Sequence, residues 1–289
     1  MFAFKIKGDS SMQISVSSYS FSQLQKDPVE LIAIAKELGF AAIEYIDVDM
    51  PTAVKLREES ARAGLPIICY TVGADFLTAE SVEAEAQRLF EQIDIAEALG
   101  VKIMRHDATR GFPAPQNAYN SFDQALPLLA KGCRMVTEYA AAKGIATTVE
   151  NHGFFFQDSA RVASLVGAVN HPNFGVLVDI GNFCCADEDP AFAAGNLAVM
   201  TKHAHAKDFH IKPGTNDNPG EGWFQSRGGN FLRGAIIGHG DVPIRQALGN
   251  LSRAGYDGYV SIEFEGMEDC LTALRIGREN LERYCIDKQ

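Results

Sequence analysis

Four short apolar runs in this chain end in a group that can bind a cation. Glu150 closes Ile145-Ala-Thr-Thr-Val149, Asp179 closes Val176-Leu-Val178, His205 sits in Thr201-Lys-His-Ala-His-Ala206, and Glu263 closes Val260-Ser-Ile262. On an extended strand Thr148 and Glu150 share one face, while Ile145, Thr147 and Val149 share the other. Each donor therefore stands at a strand's carboxyl-terminal rim, and Gly153 turns the first strand away soon after Glu150. Three carboxylates and one imidazole form a mostly oxygen donor set. It suits a divalent metal, manganese first, with magnesium, cobalt or zinc as alternatives. Crowded acids repel one another, and a cation among them removes that conflict. Glu263 is preferred to Glu265, which has the same parity but lies further into the loop. His205 is preferred to His203 because it is nearer the rim.

Other polar residues fall beside this set. His152, two residues past Glu150, can donate to a substrate hydroxyl or carry a proton. Arg105 and His106 end another strand and suit substrate hydroxyls or an acidic group. Lys207 is placed to reach substrate, and so is Glu265, whereas Asp208 is read as orienting its neighbours. His210 and His239 are weaker candidates in loop sequence.

The elements that must hold these groups repeat a unit of helix, glycine and strand. Val29–Leu38, Met50–Ala63, Ser81–Leu99 and Phe122–Lys143 read as helices, the last with a break expected near Pro127. Gly39, Gly64, Gly100 and Gly144 close them, and each leads into a strand. Helices over Asp158–Val169, Pro190–Met200, Pro243–Arg253 and Glu268–Tyr284 continue the pattern. Eight strands alternating with eight helices, without a compositional break, predict one (β/α)8 TIM barrel over residues 1–289. A doubly wound sheet is disfavoured because no glycine-rich dinucleotide turn follows the first strand. The rhythm lapses over about 212–240, read as a long loop near the catalytic face. It carries Trp223, Phe224, Arg227, Phe231 and Arg233, which could cover a sugar or join two copies.

Composition narrows the partners. The 289 residues are 46% hydrophobic and 22% charged, with a net charge of −11. That balance argues against nucleic acid as a partner. No run approaches a membrane span, and Met1–Ser10 lacks the apolar core of a signal peptide. Six cysteines without paired spacing point to free thiols in a reducing cytoplasm.

Several pieces together resemble the sugar phosphate isomerase/epimerase superfamily, the xylose-isomerase-like TIM barrels. They are Val149-Glu-Asn-His-Gly153, Val178-Asp-Ile-Gly-Asn182, His205-Ala-Lys-Asp208 and Gly255-Tyr-Asp-Gly-Tyr-Val-Ser-Ile-Glu263. The superfamily includes ketose 3-epimerases, hydroxypyruvate isomerase, inosose dehydratase and endonucleases for abasic sites. The resemblance implies that Glu150 and Glu263 both bind the metal and move the proton. Removal of a C–H proton beside a metal-bound carbonyl would give a stabilised enediolate. Two carboxylates on opposite faces would epimerise that carbon, and one carboxylate shuttling between neighbouring carbons would isomerise aldose and ketose. The strand-six aspartate of the ketose epimerases is followed three residues later by histidine, and Asn182 stands there instead. Asn182 can bond a hydroxyl but cannot act as an acid. The expected activity is a metal-dependent isomerase or epimerase of a sugar, keto-sugar or small polyol carbonyl. The alternative is a lyase or dehydratase of an inosose-like or keto-glycoside substrate, with His152 assisting the leaving group. A binding-only role is a third reading, and a homo-oligomer is compatible with all of them.

Overall fold

Alternate residues of eight parallel strands face either the axis of a closed ring or a surrounding layer of helices. In the computed structural model, which describes residues 12–118 and 120–286, the strands in chain order begin with β1 (Gln13–Ser17), β2 (Ala42–Ile46), β3 (Ile67–Val72) and β4 (Ile103–His106). They continue with β5 (Ala146–Glu150), β6 (Phe174–Asp179) and β7 (Thr201–Ala206). An insertion then supplies β8 (Asp208–Lys212), β9 (Phe224–Gln225) and β10 (Phe231–Ala235), and β11 (Tyr259–Ile262) completes the set. The ring runs β1-β11-β7-β6-β5-β4-β3-β2 and closes on itself. Helices α1 (Glu30–Glu37), α2 (Met50–Ala63), α3 (Val82–Leu99) and α4 (Phe122–Ala142) cover the first half. Helices α5 (Ser159–Val169), α6 (Pro190–Leu197), α7 (Ile244–Arg253) and α8 (Cys270–Ile286) cover the second. Met1–Ser10, where no signal peptide is expected, lies outside the described residues.

The hydrophobic core is the layer between ring and helices. Met104, Val149, Val176, Val178, Ala204, Val260 and Ile262 point into it and are fully or almost fully buried. The axial face is polar by contrast: Glu44, Arg105, Thr148, Glu150, Asp179, His203, His205 and Ser261 are buried there. Parallel register levels these groups, since Arg105 lies opposite Thr148, and His205 lies opposite both Asp179 and Ser261. Burial of that many polar groups calls for internal partners, yet Glu44 Oε1, Thr148 Oγ1, Asp179 Oδ2 and both ring nitrogens of His205 have no hydrogen-bond partner among the described residues.

Helix ends follow local chemistry. Asp49, Ser81, Asp158 and Asp189 accept a backbone N–H at the starts of α2, α3, α5 and α6. Gly64 and Gly100 close α2 and α3 in the left-handed conformation, at φ 67° and 80°. Contrary to the expected break, α4 runs unbroken through Pro127. Its capping box, Ser121 with Gln124, fixes the first turn, so the bond lost to proline falls in a helix already nucleated.

Part of the stretch expected as a loop is ordered sheet. β8, β10 and β9 pair antiparallel in that order. Asp208 anchors this insertion by accepting from the N–H groups of Phe209, Gly238, Gly240 and Val242. Trp223 is flanked by the cations of Lys212 and Arg233, at 5.2 and 5.5 Å from its ring. No helix among the described residues is long and apolar enough to cross a membrane.

Candidate metal centre

Glu150, Asp179, His205 and Glu263 converge from β5, β6, β7 and the end of β11, four adjacent strands of the ring. One ligand atom from each lies within 4.8 Å of the others, and all four residues are buried. Both ring nitrogens of His205 lack a hydrogen-bond partner among the described residues, and Nδ1 is the one turned toward the carboxylates of the set. It faces Glu263 Oε2 at 3.7 Å and Asp179 Oδ2 at 4.0 Å. An orphaned imidazole nitrogen aimed among carboxylates fits a metal ligand, so the donor set passes the test that its chemistry poses.

Rigid partners hold the rim. Asn151 donates its amide to the Asp179 carbonyl and accepts the Asp179 N–H, both at 2.9 Å. That clasp joins the ends of β5 and β6. Asn182 donates to Glu150 Oε1 at 2.8 Å, and its carbonyl accepts from Lys207 at 3.2 Å. Gly181 makes this possible, because a Cβ there would lie 2.6 Å from the Lys207 carbonyl oxygen.

Two cations already share the cluster. Arg105 Nη2 contacts Glu150 Oε2 at 2.7 Å and Asp107 Oδ1 at 2.6 Å. Lys207 Nζ lies 2.7 Å from Glu263, 3.1 Å from Asp179 and 3.2 Å from Glu265. Five acids therefore meet two permanent positive charges, so the crowding is relieved in part by protein groups rather than by a metal alone. Burial raises the Asp179 pKa to about 7, against the pull of Lys207, with Glu150 and Glu263 adding to the rise. Burial would raise Glu263 also, but Lys207 and His205 overcome it and hold that carboxyl well below its usual value.

The model of the xylose isomerase-like TIM barrel family matches residues 32–284. The chain belongs to that family. Comparison with curated proteins yields no match. Solved structures share the fold at low identity. A probable 3-DHS dehydratase from Bacillus anthracis is 18% identical, covering 94% of this chain and 99% of its own, with a TM-score of 0.73. A 3-keto-D-glucoside 4-epimerase from E. coli is 17% identical over 94% and 99%, with a TM-score of 0.71. A xylose isomerase-like protein from Mycobacterium smegmatis, in complex with magnesium, is 18% identical over 95% and 96%, with a TM-score of 0.69.

In this xylose isomerase-like barrel a further residue stands behind the quartet. Glu44 of β2 is fully buried, with Oε1 2.7 Å from His205 Nε2 and Oε2 2.7 Å from His203 Nε2. Ser261 donates to Glu44 Oε2 at 3.0 Å, and Ser15 lies 2.7 Å from Ser261. His203 is thus a partner of Glu44 below the quartet. Burial would lower the His205 pKa, but Glu44 and Glu263 raise it well above the ordinary value. Glu44 was absent from the sequence candidates. Its one signal was an acid between Ile43 and Tyr45, facing the axis in an otherwise apolar strand.

The remaining candidates divide by face. His152 Nδ1 lies 3.0 Å from Asp107 Oδ1, and its side chain is 39% exposed. Burial would lower its pKa, but the Asp107 bond and the Glu150 charge raise it. Arg105 and His106, both expected to reach substrate, face opposite ways, because neighbours on a strand alternate between its two faces. His106 turns outward, packs its ring edge against Phe76 at 6.1 Å, and has its pKa lowered to about 4 by burial. Glu265 reaches Lys207, while His210 on β8 and His239 after β10 do not join the quartet.

Two cavities open at the carboxyl-terminal face. One of about 360 Å³ lies on the β1 and β11 side and is lined by Tyr19, Gln23, Phe224 and Glu265. The other, of about 330 Å³, is formed by the loops after β4 and β5 together with Arg161 of α5 and Arg227 of the insertion. In ring order these are opposite sides, with the quartet's strands between them.

Proposed function

We propose that this protein is a divalent-metal-dependent isomerase or epimerase of a sugar, keto-sugar or related small polyol carbonyl. The observation that carries the reading is the placement of Glu150 and Glu263 at the two ends of the four-strand arc, flanking Asp179 and His205. A divalent ion in this set, manganese by preference, would hold adjacent carbonyl and hydroxyl oxygens and stabilise negative charge developing on them. Glu150, kept oriented by Arg105 and Asn182, and Glu263, kept ionised by Lys207, are the two groups proposed to take and return the C–H proton. The polar cavity beside Glu265 and Tyr19 suits a polyhydroxylated ligand. No nucleic acid or membrane partner is invoked. Six free cysteines, five of them buried, suit a reducing compartment such as the cytoplasm, and a homo-oligomer is compatible with this site.

One observation favours a second reading. His152 bonds Asp107 through Nδ1 while remaining partly exposed, and that bond raises its pKa, as suits an acid for a departing group. The same first proton removal followed by loss of a β-substituent would make the enzyme a lyase or dehydratase. Incubation of the metal-loaded protein with keto-sugars and an inosose in deuterated water separates these outcomes by mass and NMR. Deuterium entry beside the carbonyl without loss of mass is expected, and Glu150→Gln or Glu263→Gln should abolish it. Loss of a water or alcohol would select the lyase reading, and no exchange in a metal-bound protein would overturn both.

A further inference from the structure

The chain carries a net charge of −11, yet the cavity between the β4 and β5 loops is lined by three arginines and no acid. Arg161 and Arg227 are held in place from behind. Both contact Asp158, at 3.5 and 3.3 Å, both donate to backbone carbonyls of Phe154 and Phe155, and Arg161 stacks 5.0 Å from the Phe155 ring. A single carboxylate thus serves two guanidinium groups. Arg110 is exposed, and its guanidinium has no partner among the described residues. Asn117 and Asn120 add amide groups to the same wall, and Phe155 adds an apolar one. Positive charge in excess of the one carboxylate behind it, with two arginines fixed by backbone contacts and one uncommitted, forms a site for an anion.

The loops also connect this cavity to the candidate centre. The loop after β4 carries Asp107 at its base and Arg110 further out, while the loop after β5 carries His152, Phe154 and Phe155 and leads into α5, which carries Arg161. A Cβ built on Gly153 would lie 3.7 Å from Arg110 Cγ, so the two loops touch just past His152. We infer that this cavity binds an anionic group, carboxylate or phosphate, at the far end of a substrate whose polyol end lies over Glu150 and Glu263. The inference rests on the proposed function for that polyol end, but the anion site itself is independent of it.

Phenyl phosphate is the probe, with phenyl glucoside as an uncharged control, titrated calorimetrically into the full chain as purified and after chelation. Chelation prevents phosphate from binding through a metal, so the signal expected is common to both samples. Saturable binding of phenyl phosphate alone is expected. Arg110→Gln should weaken it roughly tenfold to a hundredfold, the worth of a hydrogen bond to a charged group, and Arg110→Lys should recover part. Equal binding of both probes, saturable binding of neither, or an unchanged affinity in folded Arg110→Gln would each overturn the inference. Sulfate and a carboxylate, benzoate, run in parallel show which anion the site prefers. Deuterium exchange into a neutral keto-sugar can succeed while this titration fails, so the two proposals fall separately.

Discussion

Glu44→Gln tests whether the residue behind the quartet governs metal binding. The carboxylate touches His205 through one oxygen and His203 with Ser261 through the other, at 2.7, 2.7 and 3.0 Å. The amide has the same shape but only one acceptor. If its oxygen keeps His203 and Ser261, its NH2 meets the His205 Nε2–H, donor against donor. One charge-assisted contact is then lost, worth about 1.5–3 kcal/mol. At about 1.4 kcal/mol per decade, that is roughly a tenfold to hundredfold weaker metal. The range agrees with the usual effect of removing a partner that orients a ligating histidine. Cobalt titration followed by its visible absorption measures the affinity directly, and thermal unfolding of the chelated protein shows whether the variant is folded. Glu44→Asp retains the charge and should lose less. Folded Glu44→Gln that binds cobalt within about threefold of the wild type would refute the role assigned to Glu44.

Asp107→Asn should alter the pH dependence of stability at two places. Arg105 and His152 overcome the effect of burial and lower the Asp107 pKa to about 2, about two units below its unfolded value near 3.8. Its contribution, about 2 kcal/mol, is therefore present above pH ~4 and is lost as pH falls through about 2. His152 has the opposite sign. Its folded pKa is raised, so its contribution is full below about 6.5 and is lost as pH rises through the folded value. Denaturant titrations across pH should show both losses in the wild type. In Asp107→Asn the acid-side loss should shrink by about 2 kcal/mol, and the loss at higher pH should shrink only in part because Glu150 still raises the His152 pKa. NMR should place the His152 titration lower in the variant. Gly132→Ala on α4 would set a methyl 2.4 Å from the Phe76 ring. Overpacking at about 1–3 kcal/mol outweighs the gain in helix propensity of up to about 1 kcal/mol, so a lower unfolding temperature is expected, and an unchanged one would show that Phe76 yields freely.

The barrel was readable because its signals are local and repeated. Gly64, Gly100 and Gly144 mark helix ends, and each introduces a strand with apolar residues on its outer face. The meeting of Glu150, Asp179, His205 and Glu263 was likewise foreseen from strand ends, since a closed ring carries such ends to one rim. What stayed hidden depended on facing. Adjacent Arg105 and His106 were grouped by sequence, whereas strand alternation sends the first to the axis and the second against Phe76. Glu44 lies in mid-strand, where only the closed ring reveals that it reaches His203 and His205. Asn182 stands in the place of a histidine, and its bonds to both Glu150 and Lys207 belong to tertiary geometry. The β8–β10–β9 sheet escaped notice because its glycines and short strands resemble loop sequence.

The insertion is fastened at both ends. β8 starts one residue after Lys207, and Gly234 of β10 bridges Gly266 so closely that a Cβ on Gly234 would lie 2.4 Å from the Glu265 carbonyl oxygen. A flap hinged on one side can swing away from a mouth, but a sheet riveted on two sides behaves as an arch. A change in the sheet is therefore carried to two strand ends at once, to Lys207 through β8 and to Glu265 through Gly234 of β10.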